Sequence, residues 1–564
     1  MSRPWLPALA ALEVYVLYIS MTNKAKCRDI NAAVLVMILL GVWTHAGAQA
    51  SVSAQKPQAK DCAALTAIHL ENAQIFSAEE VPEGTVVAPF GPQTAHCLVK
   101  GEVNKHTGAD GVEYGDRFEL RLPDAWTGRL LFQGGGGLDG MINPALGAMA
   151  VGFGEKDALS RGYAVASTDG GHQGKNPADA AFGSDPEALA DYQYRSTDRV
   201  ATVSKKIVTQ YYGHLPQHSY MVGCSNGGRE AMIASQRYPS DFDGIVAGDP
   251  AFHLTRAAIA EAWATARFAE IAPKDEHGIP QLQLALSDSD LKLMSTAILK
   301  ACDALDGLTD GLIENPEACR FDPAVLQCKG EKNDSCLSPG QVHAIQATFA
   351  GPKNSAGAAL YSDWPYDAGI DAPGWRAWIL GTEKMPAINV LIYPQFVNHV
   401  ALEPGEPQLA NPFAFNFDTD PPRIEKSQDK IDATATQMAA FREHGGKIIF
   451  YTGMSDPVFS ANDLIHYYQK LTQNNGGMDQ SRAFARLFLI PGMNHCMGGP
   501  ALENFDGLTA IENWVEKGEA PGKIMATGKA FPGRSRPLCS YPEIPRYKGS
   551  GSTEDAANFA CKNP

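Results

Sequence analysis

The chain has 564 residues, 44% of them hydrophobic and 20% charged, the composition of a globular protein with ample material for a core. Its formal net charge of -16 argues against nucleic acid or an anionic membrane as partner. The length suits either several domains or one α/β domain carrying a large insertion.

The N-terminal fifty residues read as an export signal. Lys24, Lys26 and Arg28 form a basic patch, Ala32 to Trp43 an apolar run, and Ala48-Gln49-Ala50 a small-x-small cleavage site. Met21 then reads as the true start, with residues 1–20 an upstream extension. The apolar run is short for a membrane span and small residues follow it, so no membrane association is expected after cleavage. The mature protein is expected to be secreted or periplasmic. Of 11 cysteines, Cys27 goes with the signal. The ten that remain, an even set in an exported chain, imply disulfides whose connectivity spacing alone does not fix.

Residues 61–250 and 423–564 are predicted to form one catalytic α/β domain. Strand runs begin near Phe118 and are separated by glycine-rich turns. Leu130-Leu131-Phe132 leads into Gly134-Gly135-Gly136-Gly137, and Tyr163-Ala164-Val165-Ala166 ends at Thr168-Asp169-Gly170-Gly171-His172. Tyr220-Met221-Val222 is followed by a helical pattern from Arg229 to Tyr238, and Gly244 to Gly248 is a further strand. Alternation of strands and helices predicts a mostly parallel sheet covered on both faces. Residues 251–422, rich in Pro, Trp, Asp and Gly, read as an inserted lid domain holding four cysteines. Sheet signals return at Lys447 to Tyr451 and at Leu487 to Ile490, and Leu508 to Lys517 is an amphipathic helix.

Gly223-Cys224-Ser225-Asn226-Gly227 matches G-x-S-x-G between a strand and a helix, the setting of a nucleophile elbow. Glycines permit the tight turn. The helix start favours developing negative charge. In this fold the partners follow in the order serine, acid, histidine. Asp456, just past the strand ending at Tyr451, and His495, just past the strand ending at Ile490, fill that order on loops at strand C-terminal ends. The expected chemistry is attack by Ser225 with His495 as general base and Asp456 orienting the imidazole. Oxyanion donors are expected from the backbone amide of Asn226 and from Gly137, with Gly136 next. Cys224 precedes the nucleophile and Cys496 follows the base, which predicts a Cys224–Cys496 disulfide between the two loops.

Within the insertion, Asp303, Asp306 and Asp310 lie in a glycine-interleaved loop beginning at Cys302. Such carboxylates suit a hard cation, most simply Ca²⁺, with the carbonyls of Leu308 and Leu312 completing the shell. Cys302 and Cys319 bracket the loop and are expected to close it.

The Gly-Cys-Ser-x-Gly-Gly-Arg elbow, the Asp456 loop, the His495-Cys496 pair and the acidic loop resemble the tannase and feruloyl esterase family, from about Asp61 to the C-terminus. The resemblance implies an α/β-hydrolase core with a lid inserted after the nucleophile, a serine esterase acting on a small aromatic ester, and structural Ca²⁺. It also implies disulfides Cys62–Cys97, Cys224–Cys496, Cys302–Cys319, Cys328–Cys336 and Cys539–Cys561. Arg482 to Leu489 and Arg546 to Gly551 look most like the branch acting on terephthalate half-esters. Trp378 and Phe459 match aromatic substrate-pocket residues of that branch, and aromatic walls suit an aromatic acyl group. That branch clamps a substrate carboxylate with a lid arginine. Here the stretch from Glu383 to Phe396 has none: the matching positions fall near Ile388 and Ile392, and Lys384 is its only basic residue. Esters of gallate, a peptidase activity and a non-catalytic aromatic-ligand-binding protein are the competing readings.

Overall fold

Alternate residues along the central strands bury their side chains on opposite faces, and both faces are apolar. The computed structural model describes residues 61–148, 154 and 156–564; the expected signal, cleavage site and start at Met21 lie outside them. Nine strands form the main sheet: β1 (Ala73–Val81), β2 (His96–Thr107), β3 (Glu113–Pro123), β4 (Arg129–Gln133), β5 (Ala164–Thr168), β6 (His218–Cys224), β7 (Gly244–Gly248), β8 (Lys447–Gly453) and β9 (Ala485–Ile490). Their spatial order is β1-β2-β3-β5-β4-β6-β7-β8-β9. The β1–β2, β2–β3 and β3–β5 pairs are antiparallel, and every pair from β5–β4 through to β8–β9 is parallel.

The helices that matter below are α1 (Ser196–Tyr212), α2 (Asn226–Arg237), α3 (Leu254–Ala269), α4 (Asp288–Cys302), α5 (Pro339–Phe349), α6 (Pro373–Ile379), α7 (Ile388–Phe396), α8 (Ala461–Asn474) and α9 (Gly507–Lys517). Leu130, Phe132, Met221, Ile245, Ile448 and Phe450 bury against α1, α2 and α8 on one face. Leu131, Tyr220, Val222, Val246, Ile449 and Tyr451 bury with Ile511 and Trp514 of α9 on the other. This is the period-two alternation of strands inside a helix–sheet–helix sandwich.

The mostly parallel α/β sheet expected from the sequence is therefore present, and the six strands read from it are all there. Most boundaries shift by one or two residues, and the largest shift is at α2, which starts at Asn226 rather than Arg229. The larger correction lies at the front. β1, β2 and the first half of β3 precede Phe118, the start of the strand runs expected from the sequence. These antiparallel strands keep charged residues such as Glu79, Glu80, Lys100 and Arg117 among their apolar ones, so no unbroken hydrophobic run announces them.

Between β7 and β8, residues 249–446 add no strand to the main sheet among the described residues. α3 to α7 lie there and bury two further apolar clusters, one shared with Val458 and Phe459 of the core. The described residues cluster as one compact unit. Five disulfides join Cys62–Cys97, Cys224–Cys496, Cys302–Cys319, Cys328–Cys336 and Cys539–Cys561.

Candidate active site

Ser225 sits between β6 and α2 with φ 62° and ψ -124°, a backbone conformation costly for a side-chain-bearing residue and found where a turn is forced to present a group. Two glycines make the turn possible. A Cβ on Gly223 would lie 2.4 Å from the backbone of Gly227, and one on Gly227 would lie 2.7 Å from the carbonyl of Gly135. The Ser225 amide donates to Gly248 O at 3.0 Å, and its carbonyl accepts from Ala251 N at 3.0 Å, fixing the elbow against the end of β7. The hydroxyl does not cap α2. It is thus not consumed by the helix it precedes.

His495 and Asp456 come together as expected. His495 Nδ1 lies 2.8 Å from Asp456 Oδ2, with side-chain exposures of 7% and 0%. Asp456 Oδ1 accepts from the amides of Val458 (2.7 Å) and Phe459 (3.2 Å), which fixes the carboxylate. Burial opposes charge on His495, but the charge and hydrogen bond of Asp456, joined by the charge of Asp249, hold its pKa above the usual 6.5. The Cys224–Cys496 bond joins the residue before Ser225 to the residue after His495 and holds those two Cα atoms 6.0 Å apart. Among the described residues Ser225 Oγ forms no hydrogen bond; serine–histidine contacts that are open in a free enzyme commonly tighten only with substrate bound.

The oxyanion candidates converge from two sides. Gly134 N donates to Val222 O, Gly135 N to Glu230 Oε2 at 3.0 Å, and Leu138 N to Pro177 O, whereas the amides of Gly136 and Gly137 have no acceptor among the described residues. The Asn226 amide, at the first position of α2, has no intrahelical acceptor either. The Asn226 side chain is locked below: its Nδ2 donates to Asp139 Oδ1 and to Glu230 Oε1 (3.2 Å), and Arg229 Nε donates to its Oδ1 at 2.7 Å. Arg229 is fully buried and also donates to the carbonyls of Tyr192, Gln193 and Ile431.

Trp378 and Phe459 both reach the base. Their rings stand 5.3 and 5.2 Å from the imidazole, nearly perpendicular to it. Ile388 and Ile392 are half-buried on α7, while Lys384 is exposed. The inserted segment between β7 and β8 is tied to the catalytic loops by two side chains that sequence reasoning missed. Asp367 Oδ2 accepts from Ser455 Oγ (2.7 Å) and Gly492 N (2.6 Å), and Asn494 Oδ1 accepts from Trp375 N (3.1 Å) while its Nδ2 donates to Gly369 O (3.0 Å). Asp249 was also missed. It is buried at the end of β7, and burial with the charge of Asp456 pushes it up to about 7.

In the acidic loop Asp303 accepts from the amides of Asp310 (3.1 Å) and Gly311 (3.0 Å), and Asp306 from Leu308 N (2.8 Å). The carbonyls of Leu308 and Leu312 accept no backbone bond among the described residues. Asp310 Oδ2 pairs with Arg536. Burial, with the charges of Asp310 and Asp303, holds Asp306 up at about 6, and burial raises the neighbouring Glu314 as well. The donor set is all oxygen and only partly neutralised, which fits a hard cation. The carboxylate oxygens are not drawn into one cluster within 4.8 Å among the described residues, so an ion would tighten the loop.

A serine elbow at the end of a parallel strand, facing a histidine held by a buried aspartate, defines a carboxylic ester hydrolase of the α/β-hydrolase class. The chain belongs to the tannase and feruloyl esterase family, whose sequence profile, described as "Tannase and feruloyl esterase", matches residues 97–562. It is 45% identical over 518 residues to mono(2-hydroxyethyl) terephthalate hydrolase from Piscinibacter sakaiensis, covering 83% of this chain and 85% of that one. It is 29% identical to a probable feruloyl esterase from Arthroderma benhamiae, over 94% and 98% of the two chains. The fold superposes on the crystal structure of feruloyl esterase B from Aspergillus oryzae with a TM-score of 0.73 at 25% identity, covering 89% of this chain and 100% of that one.

Proposed function

We propose that the protein hydrolyses esters of small aromatic carboxylic acids through an acyl-Ser225 intermediate. His495 removes the Ser225 proton as Oγ attacks the carbonyl carbon. The resulting oxyanion is held by the amides of Asn226 and of Gly137 or Gly136. Protonated His495 then gives the proton to the departing alcohol oxygen, and water repeats the sequence on the acyl-enzyme. Asp456 keeps the imidazole in the tautomer that exposes Nε2. The carrying observation is His495 bonded to Asp456 at 2.8 Å and flanked by Trp378 and Phe459. The same place holds the base and an aromatic wall.

Residues 251–422 serve as the lid that supplies Trp378. The missing arginine between 383 and 396 favours a neutral acyl group of the feruloyl kind over a terephthalate half-ester. The relative named for the half-ester keeps both in contention. The loop from Asp303 to Leu312 holds structural Ca²⁺, and five disulfides support export to an oxidising compartment. The test is kcat/KM on methyl ferulate, mono(2-hydroxyethyl) terephthalate and a gallate ester, with wild type and Ser225→Ala. Turnover of the first two above the third, lost in Ser225→Ala, is expected. Equal rates in the variant would remove the serine-esterase reading.

A further inference from the structure

Asp249 is the residue at which the three catalytic loops meet. Its neighbour Gly248 accepts the Ser225 amide, and its own amide donates to Tyr451 O at 2.9 Å. Its carboxylate, fully buried, reaches the other two loops. Oδ1 accepts from Gly453 N (2.7 Å) and Thr452 Oγ1 (3.0 Å), three and four residues before Asp456. Oδ2 accepts from Cys496 N (3.0 Å), the residue after His495, and lies 3.7 Å from Cys224 Sγ in the disulfide. Two amides and a hydroxyl pointed at one carboxyl group are the arrangement that stabilises its charged form.

We propose that Asp249 is a positioning residue for the ester hydrolysis: as a carboxylate it holds the acid and base loops in register and places a second negative charge beside the imidazolium that His495 becomes. The proposal rests on His495 acting as the base. The charged groups bearing on His495 are Asp456 and Asp249, and the rings of Trp378 and Phe459 bring none. Those bearing on Asp249 are Asp456 and His495, with the buried hydroxyl of Tyr451 close by. Glu261, buried behind Asp456 in the lid, is pushed by burial and by Asp456 to about 8 and so is largely neutral at pH 7.

The base must be neutral to work, and a nearby negative charge raises its pKa. Removing that charge lowers the pKa, so activity should persist to lower pH even as its maximum falls. The experiment is the pH dependence of kcat/KM on p-nitrophenyl acetate for wild type and Asp249→Asn, with Tm as a check on folding. The expected result is an acid limb moved to lower pH together with a maximum reduced roughly 10- to 100-fold, the scale of a small misplacement. A reduced maximum or Tm with an unmoved limb, or a limb moved upward, would overturn the proposal. If Asp249→Asn does not fold, the ¹³C carboxyl shift of Asp249 in wild type decides: ionised at about pH 8 is expected, and protonated there overturns it. Wild-type rates in Ser225→Ala would instead show that the esterase site itself had been misread.

Discussion

Two acid-rich regions of this molecule draw the partners of their buried carboxylates from different places. Around the triad, Asp456 takes two backbone amides and an imidazole, Asp249 takes two amides and a hydroxyl, and Asp367 takes an amide and a hydroxyl. Apart from the Val458 and Phe459 amides on Asp456's own loop, the donors come from loops distant in sequence, so each carboxylate is also a tie. In the loop from Asp303 to Leu312 the amides donating to Asp303 and Asp306 come from the loop itself, Asp310 alone of the three pairs with a distant side chain, Arg536, and Asp306 is pushed to about 6. A fold that solvates its own charges can hold a rigid site without help. The short acidic loop, its carboxylates only partly neutralised, is where a cation is proposed to bind.

The largest effect should come from breaking a tie in the first region. Asp456→Asn keeps the shape but offers His495 an amide in place of a carboxylate, and kcat should fall about 10⁴-fold, as loss of the correct tautomer does in serine hydrolases. A loss of less than about tenfold would mean that another carboxylate orients the base. Next comes the covalent tie. Replacing Cys224 and Cys496 together by serine should lower kcat by roughly 10- to 100-fold through misplacement of the loops. The same change at Cys539 and Cys561, in the C-terminal region, should alter Tm and leave kcat near wild type. Equal kcat losses in the two pairs would erase the distinction between a catalytic and a structural bridge.

The smallest effect belongs to the acidic loop. Asp306 holds a proton to higher pH when folded than its ordinary 3.8 allows unfolded. Between those values the unfolded chain binds fewer protons, so the metal-free fold loses stability as pH rises from about 4 through 6. Added Ca²⁺ should therefore raise the Tm of chelator-treated protein by a few degrees near pH 7 and by much less near pH 4. A gain independent of pH would place the ion elsewhere.

What the sequence disclosed follows the same division. The elbow, its flanking glycines, Asp456 and His495 were legible because strand-to-loop transitions mark them locally, and the order of the three along the chain is a constraint on the fold. The Cys224–Cys496 bond could be read because each cysteine adjoins a catalytic residue. Asp249, Asp139, Glu230, Arg229 and Asp367 were not legible. Each looks like an ordinary charged residue until tertiary contact buries it, and a buried carboxylate is recognised by the donors around it rather than by its neighbours in sequence. β1 and β2 escaped for a related reason, since strands interspersed with charge carry a weak hydrophobic signal. Trp378 was placed by resemblance, and its position 5.3 Å from His495 gives that placement a physical basis.

The most direct measurement is covalent labelling of the active enzyme with a fluorophosphonate ester, followed by peptide mass spectrometry. One adduct per chain is expected, on Ser225, formed in step with loss of activity and absent in Ser225→Ala. Full inactivation with Ser225 unmodified, or an adduct on Ser225 that leaves activity intact, would contradict it.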